Sequence, residues 1–199
     1  MEKYPEFVEV NGKRYKINSD FRTAIRCNEI AENPKIGRLE KSLAIICVLF
    51  GNDALDDYEN LEKLFELALK FLACGKEIQP SNDEPDMSFV EDYEYIYASF
   101  MSDFKIDLDK ENMHWWKFMK LMNGLSNSEL GNCCVLNNIR NLRNFDESKI
   151  KDDKERQKII EAKERVALKR NKEELTEEQL RSANELDKIL GIRKEWYYG

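Results

Sequence analysis

The sequence predicts a mainly α fold: a multi-helix bundle with a short N-terminal β-hairpin and a long charged C-terminal helical segment. Three observations carry this. Apolar residues recur at helical spacing through most of the 199 residues. Glycine (8) and proline (4) are too scarce for a turn-rich all-β chain. One Asn-Gly pair separates two short alternating runs near the N-terminus, the pattern of a two-residue hairpin loop.

Composition narrows the class. A 42% apolar share suffices for a core, while 36% charged residues and a mean hydropathy of −0.68 imply long solvated helix faces or a partly extended shape. A net charge of −7 disfavours nucleic acid as a partner, because phosphate binding needs clustered Lys and Arg. The five cysteines, Cys27, Cys47, Cys74, Cys133 and Cys134, form no CxxC, and the start MEKYPEF has no apolar signal core. Reduced thiols in a cytosol are expected. The longest apolar run, LAIICVLF at 43–50, is far short of the roughly 20 residues of a membrane span, so no membrane contact is expected.

Taken in order, residues 7–10 and 14–17 flank Asn11-Gly12 as the hairpin. Ser19 or Asp20 caps a helix to about Glu32, with Phe21, Ala24, Ile25, Asn28 and Ile30 near one face; Asn33-Pro34 ends it. A second helix spans 38–50. Its end is apolar all round and reads as a central core helix, stopped by Gly51. A third spans about 60–74, closed by Gly75. These elements make a first segment, 1–75. Residues 76–87 hold Pro80 and Pro85 and read as a linker.

Residues 88–145 form an aromatic-rich helical core. Ser88-x-x-Glu91 is a capping box, followed by Phe89, Tyr93, Ile96, Tyr97, Phe100 and Phe104 at helical spacing. After a corner at 105–109, a helix is expected from about Asp109 to Gly124. Its Met113, Trp115, Trp116, Phe118, Met119, Leu121 and Met122 cover most of the circumference, and His114, Lys117 and Lys120 form a polar stripe. Tyr97, Phe100, His114, Trp115, Trp116 and Phe118 are assigned to the structural core. Ser126-x-x-Glu129 opens a further helix carrying Leu130, Cys133, Cys134, Leu136, Ile139 and Leu142.

Residues 146–199 are the charged helical segment; alternatively 88–199 packs with 1–75 as one domain. Between 151 and 172 nine basic residues alternate with five acidic ones and no aromatic residue offers base stacking, so a solvated helix with i,i+4 ion pairs is expected. A third capping box starts at Thr176. The thin apolar stripe Ile150, Ile159, Ile160, Val166, Leu180, Leu186 and Ile189 is the candidate partner-binding surface.

Reactive chemistry finds little support. No two cysteines sit at chelating spacing, and His114 is the only histidine, beside Trp115 in a helix that reads as core. The acidic clusters Asp53/Asp56/Asp57 and Asp83/Glu84/Asp86 lie in loop and linker. Asp103/Asp107/Asp109 surround a corner where Asp107 and Asp109 read as caps of the next helix. No P-loop, GxGxxG or GxSxG occurs. No catalytic, cofactor-binding or metal residue is assigned, no cofactor is expected, and the chain is not expected to be an enzyme.

A specific pattern overlies this reading. It comprises Tyr95-Ile96-Tyr97-Ala98-Ser99-Phe100, Asp103-Phe104-x-Ile106-Asp107-Leu108, His114-Trp115-Trp116-Lys117-Phe118 and Gly124-Leu125. Val10-Asn11-Gly12-Lys13-x-Tyr15-x-Ile17-Asn18, Asp20-Phe21-Arg22, Glu40-Lys41 and Cys74-Gly75-Lys76 complete it. In order and spacing it resembles the bacteriophage Gp-fifteen family of siphophage and prophage tail-region proteins, over nearly the whole chain. The resemblance implies a tail assembly chaperone that binds the tape measure protein, helps recruit the major tail protein, and acts in the cytoplasm of the bacterial host without entering the mature virion. Self-association into a homo-oligomer is left open. The family transfers no catalytic residues. The alternatives are a structural tail or connector component, or a metal-dependent enzyme using the Asp103–Asp109 cluster.

Overall fold

The computed structural model describes residues 3–77, 85–127 and 133–169. Among them are seven α-helices and one two-stranded antiparallel sheet, a mainly helical protein with an N-terminal hairpin. The chain divides into two compact units. The first takes the residues up to 77 and Asn112–Lys120; the second takes 85–111 and 121–169.

In the first unit, β1 (Phe7–Val10) pairs with β2 (Lys13–Lys16) in the register Val10↔Lys13 and Val8↔Tyr15. Asn11 (φ 49°) and Gly12 (φ 79°) both lie in the left-handed region, as a type I′ turn requires. A lone hairpin is marginal in water. Here Val10 and Tyr15 are buried, and the Tyr15 hydroxyl donates to the Asp57 carboxylate. Asn11 Nδ2 also donates to Asn60 Oδ1 at 2.7 Å.

Helix α1 (Phe21–Glu32) starts where the Asp20 carboxylate accepts the Arg22 N–H at 2.9 Å. It buries Phe21, Ala24 and Cys27; Ile25, Asn28 and Ile30, expected on that face, are only half-buried. Helix α2 (Arg38–Phe50) buries Ser42, Ile45, Ile46, Leu49 and Phe50 but leaves Leu43, Ala44, Cys47 and Val48 half-exposed. It is therefore core on one face, not all round. Helix α3 (Leu61–Leu72) buries Leu64, Phe65, Ala68 and Phe71. It ends through two left-handed residues, Cys74 and Gly75, with the Gly75 N–H donating to Lys70 O at 2.8 Å. A Cβ on Gly75 would lie 3.1 Å from Trp116 Cη2, a second reason for glycine here.

Residues 112–120 complete this unit. Phe21 N donates to Met113 O (2.9 Å) and Trp115 N to Ser19 O (2.7 Å), forming an antiparallel bridge between Asp20 and His114. Phe118 stacks on Phe21 at 4.8 Å and on Trp115 at 5.5 Å between ring centroids. Burying each such side chain contributes about 1.5–3 kcal/mol. Helix α5 (Trp115–Asn123) begins six residues later than the sequence suggests. Residues 109–114 are needed as extended and turn backbone to reach α1, and Asp107 accepts the Asp109 N–H in that turn instead of capping a helix.

In the second unit, α4 (Tyr93–Phe104) packs on α6 (Val135–Asn144), which packs on α7 (Asp153–Val166). Ser88 Oγ accepts from the N–H groups of Val90 and Glu91, but the helix proper begins at Tyr93, and Asp92 rather than Glu91 accepts the Ser88 N–H. Ser99 Oγ donates to Tyr95 O and accepts the Leu136 N–H at 3.0 Å, which ties α4 to the start of α6. Helix α6 is capped by Cys134, not opened at Ser126; the backbone N–H and hydroxyl of Ser126 both donate to Asp103 at 2.8 Å. Glu129, Leu130 and most of the expected linker lie outside the described residues.

Candidate functional site

The paired tryptophans of the signature do specific work at one helix end. The last carbonyls of an α-helix have no partner inside it. Trp115 Nε1 donates to Leu72 O at 2.8 Å and Trp116 Nε1 to Phe71 O at 2.9 Å, so two indoles cap the C-terminus of α3. His114 caps α5 in turn: its Nδ1 accepts the Trp116 N–H at 3.0 Å. Nε2 then carries the proton and donates to Pro5 O at 3.1 Å. The ring stacks on Tyr4 at 4.8 Å, and Lys120 Nζ lies 4.8 Å from the Tyr4 ring centre. With both nitrogens engaged, His114 is a positioning group, off any helix stripe.

An open cleft of about 710 Å³ lies in this first unit, lined by residues 16–20, 47–51 and 112–114. Three of its polar side chains, Asp20, Cys47 and His114, have partners within the fold. Asp20 caps α1 and pairs with Arg22 at 3.2 Å, and the Cys47 thiol donates to Asn52 Oδ1 at 2.9 Å. Cys27 is fully buried, and burial pushes its thiol up to about 12.

Asp57, Asp86, Asp103 and Asp107 of the acidic clusters are used as local acceptors. Asp57 takes the Tyr15 hydroxyl, which holds its carboxyl below the usual range, together with Asn60 and Lys13. Asp103 serves Ser126 and Ser102, while Asp107 serves Lys110, Tyr97 and the Asp109 N–H. Asp83 and Glu84 lie outside the described residues. Among the described residues no group of three or more His, Cys, Asp or Glu is arranged to hold a metal ion.

The second unit is organised on a pair that the motif reading passes over. Arg143 Nη1 and Nη2 each donate to a different oxygen of Asp92 at 2.7 Å, with the two side chains 10% and 1% exposed. The same guanidinium donates to Asp86 O (2.8 Å) and to Val166 O (2.6 Å). Asp92 holds the Arg143 charge on, raising its already high pKa. Burial pushes the Asp86 carboxyl up, but hydrogen bonds from Arg140 and Asn144 outweigh that and hold it below the usual range. The sequence signal is faint: Arg143 is one of two arginines in a polar helix, and Asp92 sits among acidic neighbours.

Of the expected partner-binding residues, Ile150 precedes α7, and Ile159, Ile160 and Val166 lie on it. All four are half-buried, on a helix packed against α6 and the 3-10 turn Glu147–Lys149. Leu180, Leu186, Ile189 and the third capping box lie outside the described residues. Of the expected core, Phe100, Trp115 and Phe118 are buried, whereas Tyr97, His114 and Trp116 are half-buried. No helix of the described residues is long and apolar enough to cross a membrane.

The family model described as Bacteriophage Gp15 protein matches residues 1–168 of the chain. No curated protein and no solved structure matches it.

Proposed function

Since the chain belongs to the Bacteriophage Gp15 protein family, we propose that this phage protein is a tail assembly chaperone. It acts by binding, not by catalysis, and its partner is the tape measure protein, a long helical protein whose amphipathic seams need cover before the tail tube forms around it. The major tail protein is a second partner, brought to the covered tape measure. The work is done in the host cytoplasm and the chaperone leaves before the virion is complete.

The observation that carries this reading is the state of α7. It presents Ile159, Ile160 and Val166 along a charged helix of which no residue is fully buried. A half-covered apolar stripe flanked by charge suits recognition of another amphipathic helix. The net charge of −7 supplies the like-charge repulsion that keeps such a complex soluble.

The test is co-expression with the tape measure protein from the same phage, followed by pull-down. The tape measure protein is expected to co-purify, and Ile159→Glu with Ile160→Glu to cut its recovery at least about tenfold, the equivalent of ~1.4 kcal/mol. Unchanged recovery would reject the stripe as the contact. Mass spectrometry of purified virions separates the alternative, because a structural tail or connector component stays in the particle.

A further inference from the structure

Helix α7 is attached differently from the other helices. Each of α1 to α6 has at least two buried residues, and α7 has none. What fastens it is polar. Lys163 Nζ donates to Phe145 O (2.7 Å) and pairs with Glu147 (2.6 Å). Arg143 Nε donates to Val166 O (2.6 Å), and the Lys169 N–H donates to Glu91 (2.7 Å). Arg143 and Glu91 meet the C-terminal end of α7, where a helix leaves carbonyls unpaired and the following chain leaves N–H groups to satisfy.

The receiving side is held by bonds that do not involve α7. Arg143 bonds Asp92 twice and Asp86 O once, and only its Nε reaches α7. The pairing of α4 with α6 through Ser99 and Leu136 involves no residue of α7. At its other end α7 is tethered by 150–152 to the 3-10 turn Glu147–Lys149. Water can take over the polar contacts, and α7 has no fully buried side chain to expose, which are the conditions for local opening ahead of global unfolding.

The geometry points to α7 as a releasable strap: it opens locally while the rest of its unit stays folded, and its opening frees Ile159, Ile160 and Val166 for a partner helix. The docked strap then competes with the partner for the same apolar stripe, and binding is drawn from the open population. The binding half of this inference rests on the chaperone reading; the opening half does not.

Hydrogen exchange on the full chain tests the opening. Amides of 153–166 are expected to exchange at least about tenfold faster than those of α4 and α6, the separation of a local from a global opening. Lys163→Ala is expected to raise the α7 rates several-fold and leave α4 and α6 unchanged. Lys158→Ala, which removes the same charge from an exposed position on the same helix, leaves all three unchanged. Exchange of α7 in step with α4 and α6, or α7 rates indifferent to Lys163→Ala, overturns the strap. In pull-downs with co-expressed tape measure protein, Lys163→Ala is expected to retain several-fold more partner than the parent chain, and equal retention overturns the competition. A freely opening α7 with no retention by any variant supports the strap and rejects the chaperone reading.

Discussion

Arg143 grips Asp92 with two parallel hydrogen bonds of 2.7 Å, and the carboxylate is 1% exposed. Taking two charges from water is expensive, and their mutual attraction offsets that only when the geometry is good and the remaining donors are used. Both conditions are largely met, since Arg143 uses two of its three other donors on Asp86 O and Val166 O.

Removing one partner therefore strands a buried charge. Asp92→Ala and Arg143→Ala are each expected to lower stability by about 3–5 kcal/mol, read as a drop in the urea midpoint at unchanged slope. Asp92→Leu combined with Arg143→Met removes both charges and should be less destabilised than the sum of the two alanine variants. An additive loss would show that packing, not charge pairing, dominates the site.

Gly75 and Trp116 make a second coupled pair. Gly75 sits at φ 77°, where an L side chain costs about 1–2 kcal/mol, and its missing Cβ leaves room for the Trp116 ring. Gly75→Ala is expected to destabilise by more than the backbone penalty alone. Trp116→Phe removes the clashing ring atoms and also the cap on Phe71 O, worth about 0.5–1.5 kcal/mol. In that background Gly75→Ala should cost only the backbone part, and a double-mutant cycle by denaturant unfolding would show a coupling of at least about 0.5 kcal/mol. Independent effects would remove the close approach as the reason for glycine.

Local signals explain what was legible. Asn11-Gly12 sets the hairpin because few residues other than Asn and Gly tolerate two consecutive positive φ values. The helices over 21–32, 38–50 and 61–72 follow from apolar spacing, the Asp20 cap and the Gly51 and Gly75 stops. The late start of α5 is invisible for a physical reason. Residues 109–114 have helical composition, but the Asp20–His114 bridge and the bonds of Phe21 and Trp115 to distant backbone outweigh that propensity. The Asp92–Arg143 pair spans 51 positions, and no periodicity or spacing rule connects residues that far apart. The apolar stripe of Ile159, Ile160 and Val166 is readable from spacing; that its helix packs on α6, with hydrogen bonds at Arg143, Lys163 and Glu91, is not.

Acid should loosen the join between the end of α4 and the segment leading to α6. The Ser126 backbone N–H is the first cause holding the Asp103 carboxyl below its usual range; burial opposes it, and the Ser102 and Ser126 hydroxyls add to it. A carboxyl whose folded pKa is depressed contributes stability that is fully present above its unfolded pKa of about 4 and is lost as pH falls through the folded value. Stability is therefore expected to decline between about pH 5 and pH 3, with Asp103 among the groups responsible. Asp103→Asn keeps one acceptor oxygen for Ser126 but cannot ionise. It should be less stable than the parent chain at pH 7, and the gap should narrow toward pH 3. Urea midpoints for both proteins across this range decide the matter: parallel curves would mean that the charge on Asp103 adds nothing, and that Ser126 is held as well by a neutral oxygen.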